Sequence, residues 1–168
     1  MQTLYRAARI FLPGGEMRTG HALMVDGGRI ARIAPEAEFE GFAGKTVDLG
    51  DATILPGLMD AHVHLVYGAE GNPSMTIQSL TPGQIAMKAY QNARTSLAGG
   101  ITAVRDCGGK DYIEFAVRDA CNRGELLGPT ILAAGRMICM TGGHGNRHGR
   151  IADGCDEVVK AVREQIHA

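Results

Sequence analysis

The chain has 168 residues, 45% of them hydrophobic and 21% charged, with a formal charge of −1, which suits one ordinary domain or parts of two. That balance excludes a disordered polyelectrolyte and leaves no electrostatic footprint for a nucleic-acid or membrane partner; without Trp there is little for bases to stack on. Gly 24 is about twice the average share of roughly 7%, which points to tight connections or ligand-facing loops.

Residues 1–54 read as all-β. A first strand over 3–12 is stopped by Pro13-Gly14-Gly15. Segments 21–25 and 29–33 flank Asp26-Gly27-Gly28, a hairpin signal because the tight turn needs positive φ. A loop over 35–45 leads to a strand at 46–49. Four short strands bury too little to stand alone, so they call for partners.

From Ala52 the rhythm changes to strand, loop, helix, three times over. The first unit spans a strand at 53–65, a loop at 68–79 and a helix announced by Thr81, Pro82 and Gln84, a capping box with proline at the first position. Ile85, Ala89, Ala93 and Leu97 form its apolar stripe, and Gly99-Gly100 stops it. The second unit is a strand at 102–107, then Gly108-Gly109, then a helix with Ile113, Ala116, Val117, Ala120 and Cys121 facing inward. The third is a strand at 130–135, a long loop through 141–149, and a helix with Val158, Val159, Val162 and Ile166 inward; Glu157, Lys160, Arg163 and Glu164 form its solvated face. Such alternation predicts right-handed crossovers and a parallel α/β sheet, either small and open or part of a (β/α)8 barrel. Gly-rich polar loops after short apolar strands favour the barrel, whose sites gather at the C-terminal strand ends. Cys107, Cys121, Cys139 and Cys155 include no C-x-x-C, so reduced, mostly buried cysteines of a cytoplasmic protein are expected. The N-terminal apolar run is too short for a signal peptide, and no run approaches the ~18 apolar residues of a spanning helix.

The chemistry concentrates in Asp60-x-His62-x-His64. Alternate residues of a strand share a face, so His62 and His64 can converge on one ion, with Asp60 in phase to take a ring N–H and fix its tautomer. The competing reading is a buried strand whose histidines are satisfied by backbone carbonyls. Further ligands within the chain would come from His144, His148, Asp106 or Cys107, although Arg105 and Asp106 also suit a structural ion pair. Gly142-Gly143-His144-Gly145 places an imidazole on a backbone that a ligand can approach closely, as a substrate contact or as a loop histidine in solvent. Arg147, His148 and Arg150 can grip a carboxylate, or simply form a solvated loop.

Leu55-Pro56-Gly57-Leu58-Met59-Asp60-Ala61-His62-Val63-His64, the strand Gly100-Ile101-Thr102-Ala103-Val104-Arg105-Asp106 and the loop Thr141-Gly142-Gly143-His144-Gly145 resemble the amidohydrolase superfamily. With the β-rich lead-in, the likeness is to the branch of imidazolonepropionase-like enzymes and Xaa-Pro or Xaa-Arg dipeptidases. The resemblance implies part of a composite β-sandwich over 1–54 and the first three units of a (β/α)8 barrel over 55–168. It implies one or two divalent metals, usually zinc, with His62 and His64 as ligands and His144 facing the substrate. It also implies a lysine on a fourth strand, histidines on the fifth and sixth and a general-base aspartate on the eighth, all beyond Ala168. The expectation is therefore the N-terminal portion of a longer, homo-oligomeric hydrolase of amide bonds, acting on dipeptides or N-acyl amino acids, with the 168 residues alone inactive. Two alternatives remain open: a cyclic-amide hydrolase or deaminase of the same fold, and a truncated, non-catalytic partner that docks on another chain.

Overall fold

The computed structural model describes residues 1–168. Its first surprise is a break in the expected opening strand. Residues 3–12 divide into β1 (Thr3–Arg6) and β2 (Arg9–Leu12), which belong to different sheets. The returning chain runs alongside the break: the Leu49 N–H donates to the Arg6 carbonyl and the Ala8 N–H to the Gly50 carbonyl. The remaining strands of this first unit, Met1–Pro56, are β3 (Glu16–Arg18), β4 (His21–Asp26), β5 (Arg29–Pro35), β6 (Lys45–Asp48) and β7 (Thr53–Ile54). They form sheets ordered β5-β4-β1-β6 and β3-β2-β7. Gly27 and Gly28, with φ of 56° and 77°, make the turn between β4 and β5 as expected. The expected 35–45 loop contains a 3-10 turn, Glu36–Phe39, that buries Phe39 against Leu4, Ala22 and Ala34. Thr53 and Ile54, expected to open the first strand–helix unit, pair with β2 instead.

The second unit, Gly57–Ala168, is built on three parallel strands, β8 (Leu58–Val63), β9 (Ile101–Asp106) and β10 (Thr130–Ala133), in the order β10-β9-β8. Its helices are α1 (Pro73–Ser79), α2 (Pro82–Ala98), α3 (Ile113–Asn122) and α4 (Cys155–His167); two short strands, β11 (Ile138–Cys139) and β12 (Arg150–Ile151), pair within the long loop region. α2 begins with the expected capping box and buries Ile85, Ala89 and Ala93. These pack with Val104, Val117, Cys121 and Ile131 into the core beneath the sheet. α1 lies where a loop was expected, because Asn72 caps it and Pro73 starts it.

Two helices face differently from their apolar pattern. α3 buries Glu114, Val117 and Cys121 while Ala116 is exposed. In α4 only Ala161 is buried, and Val158, Val159, Val162 and Ile166 are exposed. The reason is polar anchoring on one face: Glu164 accepts from Arg150, and Gln165 accepts the Arg136 N–H at 2.8 Å. Residues 161, 164 and 165 therefore face the fold, and the valine stripe turns away. All four cysteines are free, but only Cys121 is buried, against the expectation that most would be. No helix is long and apolar enough to cross a membrane.

Candidate active site

β8 ends at the two histidines. The His62 and His64 ring centroids lie 5.4 Å apart, with the rings at 72°. His64 Nδ1 lies 2.8 Å from the Gly108 carbonyl oxygen. A carbonyl only accepts, so Nδ1 carries the proton and the neutral ring presents its lone pair at Nε2. Carbonyl satisfaction thus holds for one nitrogen of His64, and its effect is to aim the other.

Asp60 does not take the ring N–H foreseen for it. Its Oδ1 accepts from the His62 backbone N–H at 3.0 Å, a local turn where the β8–β9 register shifts. The tautomer-fixing role at His64 falls to Gly108.

Asp106, at the end of β9, is fully buried. Its Oδ2 accepts the Leu65 N–H and its Oδ1 the Gly108 N–H, each at 2.8 Å, so one carboxyl ties two strand ends together. Burial pushes its pKa up, against the pull of those amides and of His64. Arg105 is exposed, and the Asp106 oxygens face the Leu65 and Gly108 amides instead of pairing with it. Cys107 Sγ lies 3.8 Å from the Ala61 carbonyl, a weak contact.

No three His, Cys, Asp or Glu side chains converge closely enough to hold an ion, so Asp106, Cys107, His144 and His148 do not complete a ligand set with the β8 histidines. Two adjacent imidazoles, one with its tautomer fixed, fit a borderline divalent ion such as zinc. A catalytic zinc takes three protein ligands, so two histidines alone do not make up such a site.

A cavity of about 500 Å³ brings His64 together with Tyr67, Ser74, His144, Arg147 and His148. A wider groove of about 770 Å³ along α2 is lined by Met87, Lys88, Tyr90 and Arg94 and contains none of the expected site residues. His144 and Arg147 stand exposed in the cavity wall. His148 is buried; its Nε2 donates to the Ser74 carbonyl at 3.3 Å and its Nδ1 has no partner. Burial lowers its pKa, favouring the neutral ring, so His148 is not the cation expected for a carboxylate. Arg150 is also withdrawn, paired with Glu164 at 2.7 and 3.2 Å. Arg147 is left as the guanidinium lining the cavity. Arg136 anchors the loop from below, donating to the His148 and Gly149 carbonyls at 3.4 and 2.6 Å.

Two residues were missed in the sequence. Tyr67 packs between His64 and His148 with its ring tilted to both, centroids at 5.4 and 6.2 Å, and burial raises its pKa while Ser74 draws it back. Its N–H donates to the His64 carbonyl at 3.0 Å, so a turn directly after the second histidine was the available signal. Glu114 is fully buried behind the β9 end. Its signal was a carboxylate three residues before Val117, on the buried stripe of α3.

The amidohydrolase family model matches residues 53–168. Ochratoxinase of Aspergillus niger is 28% identical over 193 aligned positions, covering 95% of this chain and 38% of that enzyme. Imidazolonepropionase of Chromobacterium violaceum is 43% identical over 51 residues, 29% of this chain and 12% of that one. The crystal structure of a Xaa-Pro dipeptidase with bound methionine in the active site superposes with a TM-score of 0.85 at 28% identity, covering 99% of this chain and 45% of that one. The chain thus spans less than half the length of these relatives.

Proposed function

Because the chain belongs to the amidohydrolase family, we propose that it is the N-terminal part of a metal-dependent hydrolase of amide bonds. In this reading β8, β9 and β10 are the first three strands of a (β/α)8 barrel, and residues 1–54 are part of a β-sandwich. The carrying observation is the His62–His64 pair at a strand end, with His64 Nε2 left free by the Gly108 carbonyl. His62 and His64 would hold a divalent ion, zinc by ligand type, with the remaining ligands and the general base supplied beyond Ala168. Bound there, such an ion supplies Lewis acidity, polarising the scissile carbonyl and readying a water.

This chain's own part is binding and orientation. Gly108 fixes the His64 ring, and Arg147 offers a guanidinium to a substrate carboxylate. His144 stands on the same wall and would serve as a substrate contact. A carboxylate-bearing dipeptide or N-acyl amino acid suits this set, and the likeness to a Xaa-Pro dipeptidase supports that class. The local 43% identity to an imidazolonepropionase favours a second reading, hydrolysis of a cyclic amide.

The test is the zinc content of the purified chain beside a His62→Ala, His64→Ala variant. Zinc retained by the chain and lost from the variant is expected; equal content in both removes the ligand assignment. Assays of the complete polypeptide on N-acyl amino acids, dipeptides and cyclic amides separate the two substrate readings.

A further inference from the structure

Behind the β9 end lies a carboxyl that this chemistry does not use. Glu114, in the first turn of α3, is 0% exposed, and neither of its oxygens has a hydrogen-bond partner. A buried polar group without a partner is rare and calls for a reason. The carboxyl rests against Gly109 so closely that a Cβ there would fall inside it. The Gly109 N–H is directed elsewhere, to the Gly135 carbonyl at 3.0 Å. One residue earlier, Gly108 donates to Asp106 and turns its carbonyl onto His64 Nδ1. The connection beyond it is strained, with Asp111 and Tyr112 both left-handed at φ 55° and 60°. A short, strained loop therefore carries the one contact that aims His64, and Glu114 packs against its inner side.

The protonation state of Glu114 follows from what faces it. Asp106, accepting two amides, is the carboxyl better suited to hold a negative charge. Arg118, one turn along α3, is committed to Asp119 at 2.7 Å and lies 4.0 Å over the Phe115 ring. Burial above all, and then the Asp106 charge, raise the Glu114 pKa to about 7; the Glu114 and Gly109 amides, close by but without hydrogen-bond geometry, and Arg118 pull weakly the other way. A second buried carboxylate without a donor, beside Asp106, would be costly, whereas the neutral acid fits.

We infer that Glu114 is a positioning residue: held as a neutral acid, it props the Gly108–Gly109 segment so that the Gly108 carbonyl fixes the His64 ring with Nε2 toward the site. The consequence for metal binding rests on the proposed function; the ring tautomer does not.

The test uses the intact chain labelled with 15N at histidine. Long-range proton–nitrogen spectra at pH 6.5 report the tautomer of the neutral His64 ring, assigned by loss of its signals in His64→Asn. Wild type and Glu114→Gln are expected to show the Nδ1–H form, and Glu114→Ala and Glu114→Asp a mixture of both. Zinc competition against a chromophoric chelator is expected to place Glu114→Gln within about twofold of wild type and Glu114→Ala about tenfold or more weaker, as for loss of outer support of a ligand. A folded Glu114→Ala that keeps the wild-type tautomer overturns the inference. Should that variant not fold, an unchanged tautomer in Glu114→Asp overturns it equally, and a mixed tautomer in Glu114→Gln overturns the neutral-acid role. If wild type takes up no zinc, the metal reading fails alone and the tautomer still decides the role of Glu114.

Discussion

The two sides of the cavity are built on different terms. On the strand-end side, His64 leans on the Gly108 carbonyl, Asp106 on the Leu65 and Gly108 amides, and Glu114 on Gly109. On the loop side, His144 and Arg147 stand exposed, and the polar ties are at the loop's ends: Thr141 on Asp153, and Arg136 on the His148 and Gly149 carbonyls. Where the backbone is the partner, a ring's orientation is set before any ligand arrives. Where side chains face solvent, the ligand has to order them itself. The difference teaches that donors requiring fixed geometry belong to the strand ends, and adaptable contacts to the loop.

The largest effect should come from removing the tie on the strand-end side. Asp106→Ala strands the buried Leu65 and Gly108 amides and removes two bonds to a carboxylate. A loss on the order of 3–5 kcal/mol is expected from urea unfolding, since bonds to charged groups and stranded donors each count for about 1–3 kcal/mol. Asp106→Asn keeps one acceptor and should recover part of the loss. An Asp106→Ala chain destabilised by less than about 1 kcal/mol would show that the strand ends hold without the clamp and erase the contrast.

The next effect is a pH dependence. Glutamate titrates near 4.5 in the unfolded chain and Glu114 near 7 in the folded one, so unfolding releases a proton between those values. Stability therefore falls as pH rises through that window, by about 3 kcal/mol at roughly 1.4 kcal/mol per unit. Asp106, also raised, contributes with the same sign. His148, lowered by burial, runs oppositely: its contribution is lost as pH falls through its unfolded value of 6.5 and below. Glu114→Gln removes only the first contribution. It should match wild type at pH 4.5 and exceed it by about 3 kcal/mol at pH 8 in unfolding titrations. A constant difference across that range would mean that Glu114 is ionised in the fold.

The strand-end side was the more legible in sequence because its signals are local. Alternation placed His62 and His64 together, and Thr81 with Gln84 marked the start of α2. What stayed hidden depends on contacts between residues far apart in the chain. Asp106 reads as half of an ion pair with Arg105 until its bond to Leu65 is known, 41 residues away. His148 and Arg150 read as cations for a ligand until burial and Glu164 withdraw them. The α4 stripe was misread for the same reason, since Arg150 and Arg136 decide which face of that helix turns inward. Periodicity finds an apolar stripe, and polar anchors from elsewhere can overrule it.

The smallest expected effect separates the two arginines of the loop side most sharply. Arg150→Ala removes a solvent-screened pair with Glu164 whose side chains are 24% and 37% exposed, so only a small loss in thermal unfolding is expected. Arg147 is exposed, and Arg147→Ala should change stability by no more than about 0.5 kcal/mol. Binding should rank them the other way. Titration of the protein with N-acetylproline, followed by the His64 ring signals, is expected to weaken about tenfold or more in Arg147→Ala and to be unchanged in Arg150→Ala. A guanidinium already paired with a carboxylate has no free edge for a second one, whereas an unpaired one at the cavity wall does. Equal weakening in both variants would return the carboxylate contact to Arg150. It would also mean that the Arg150–Glu164 pair opens when ligand arrives, making the loop side adaptable down to its anchors.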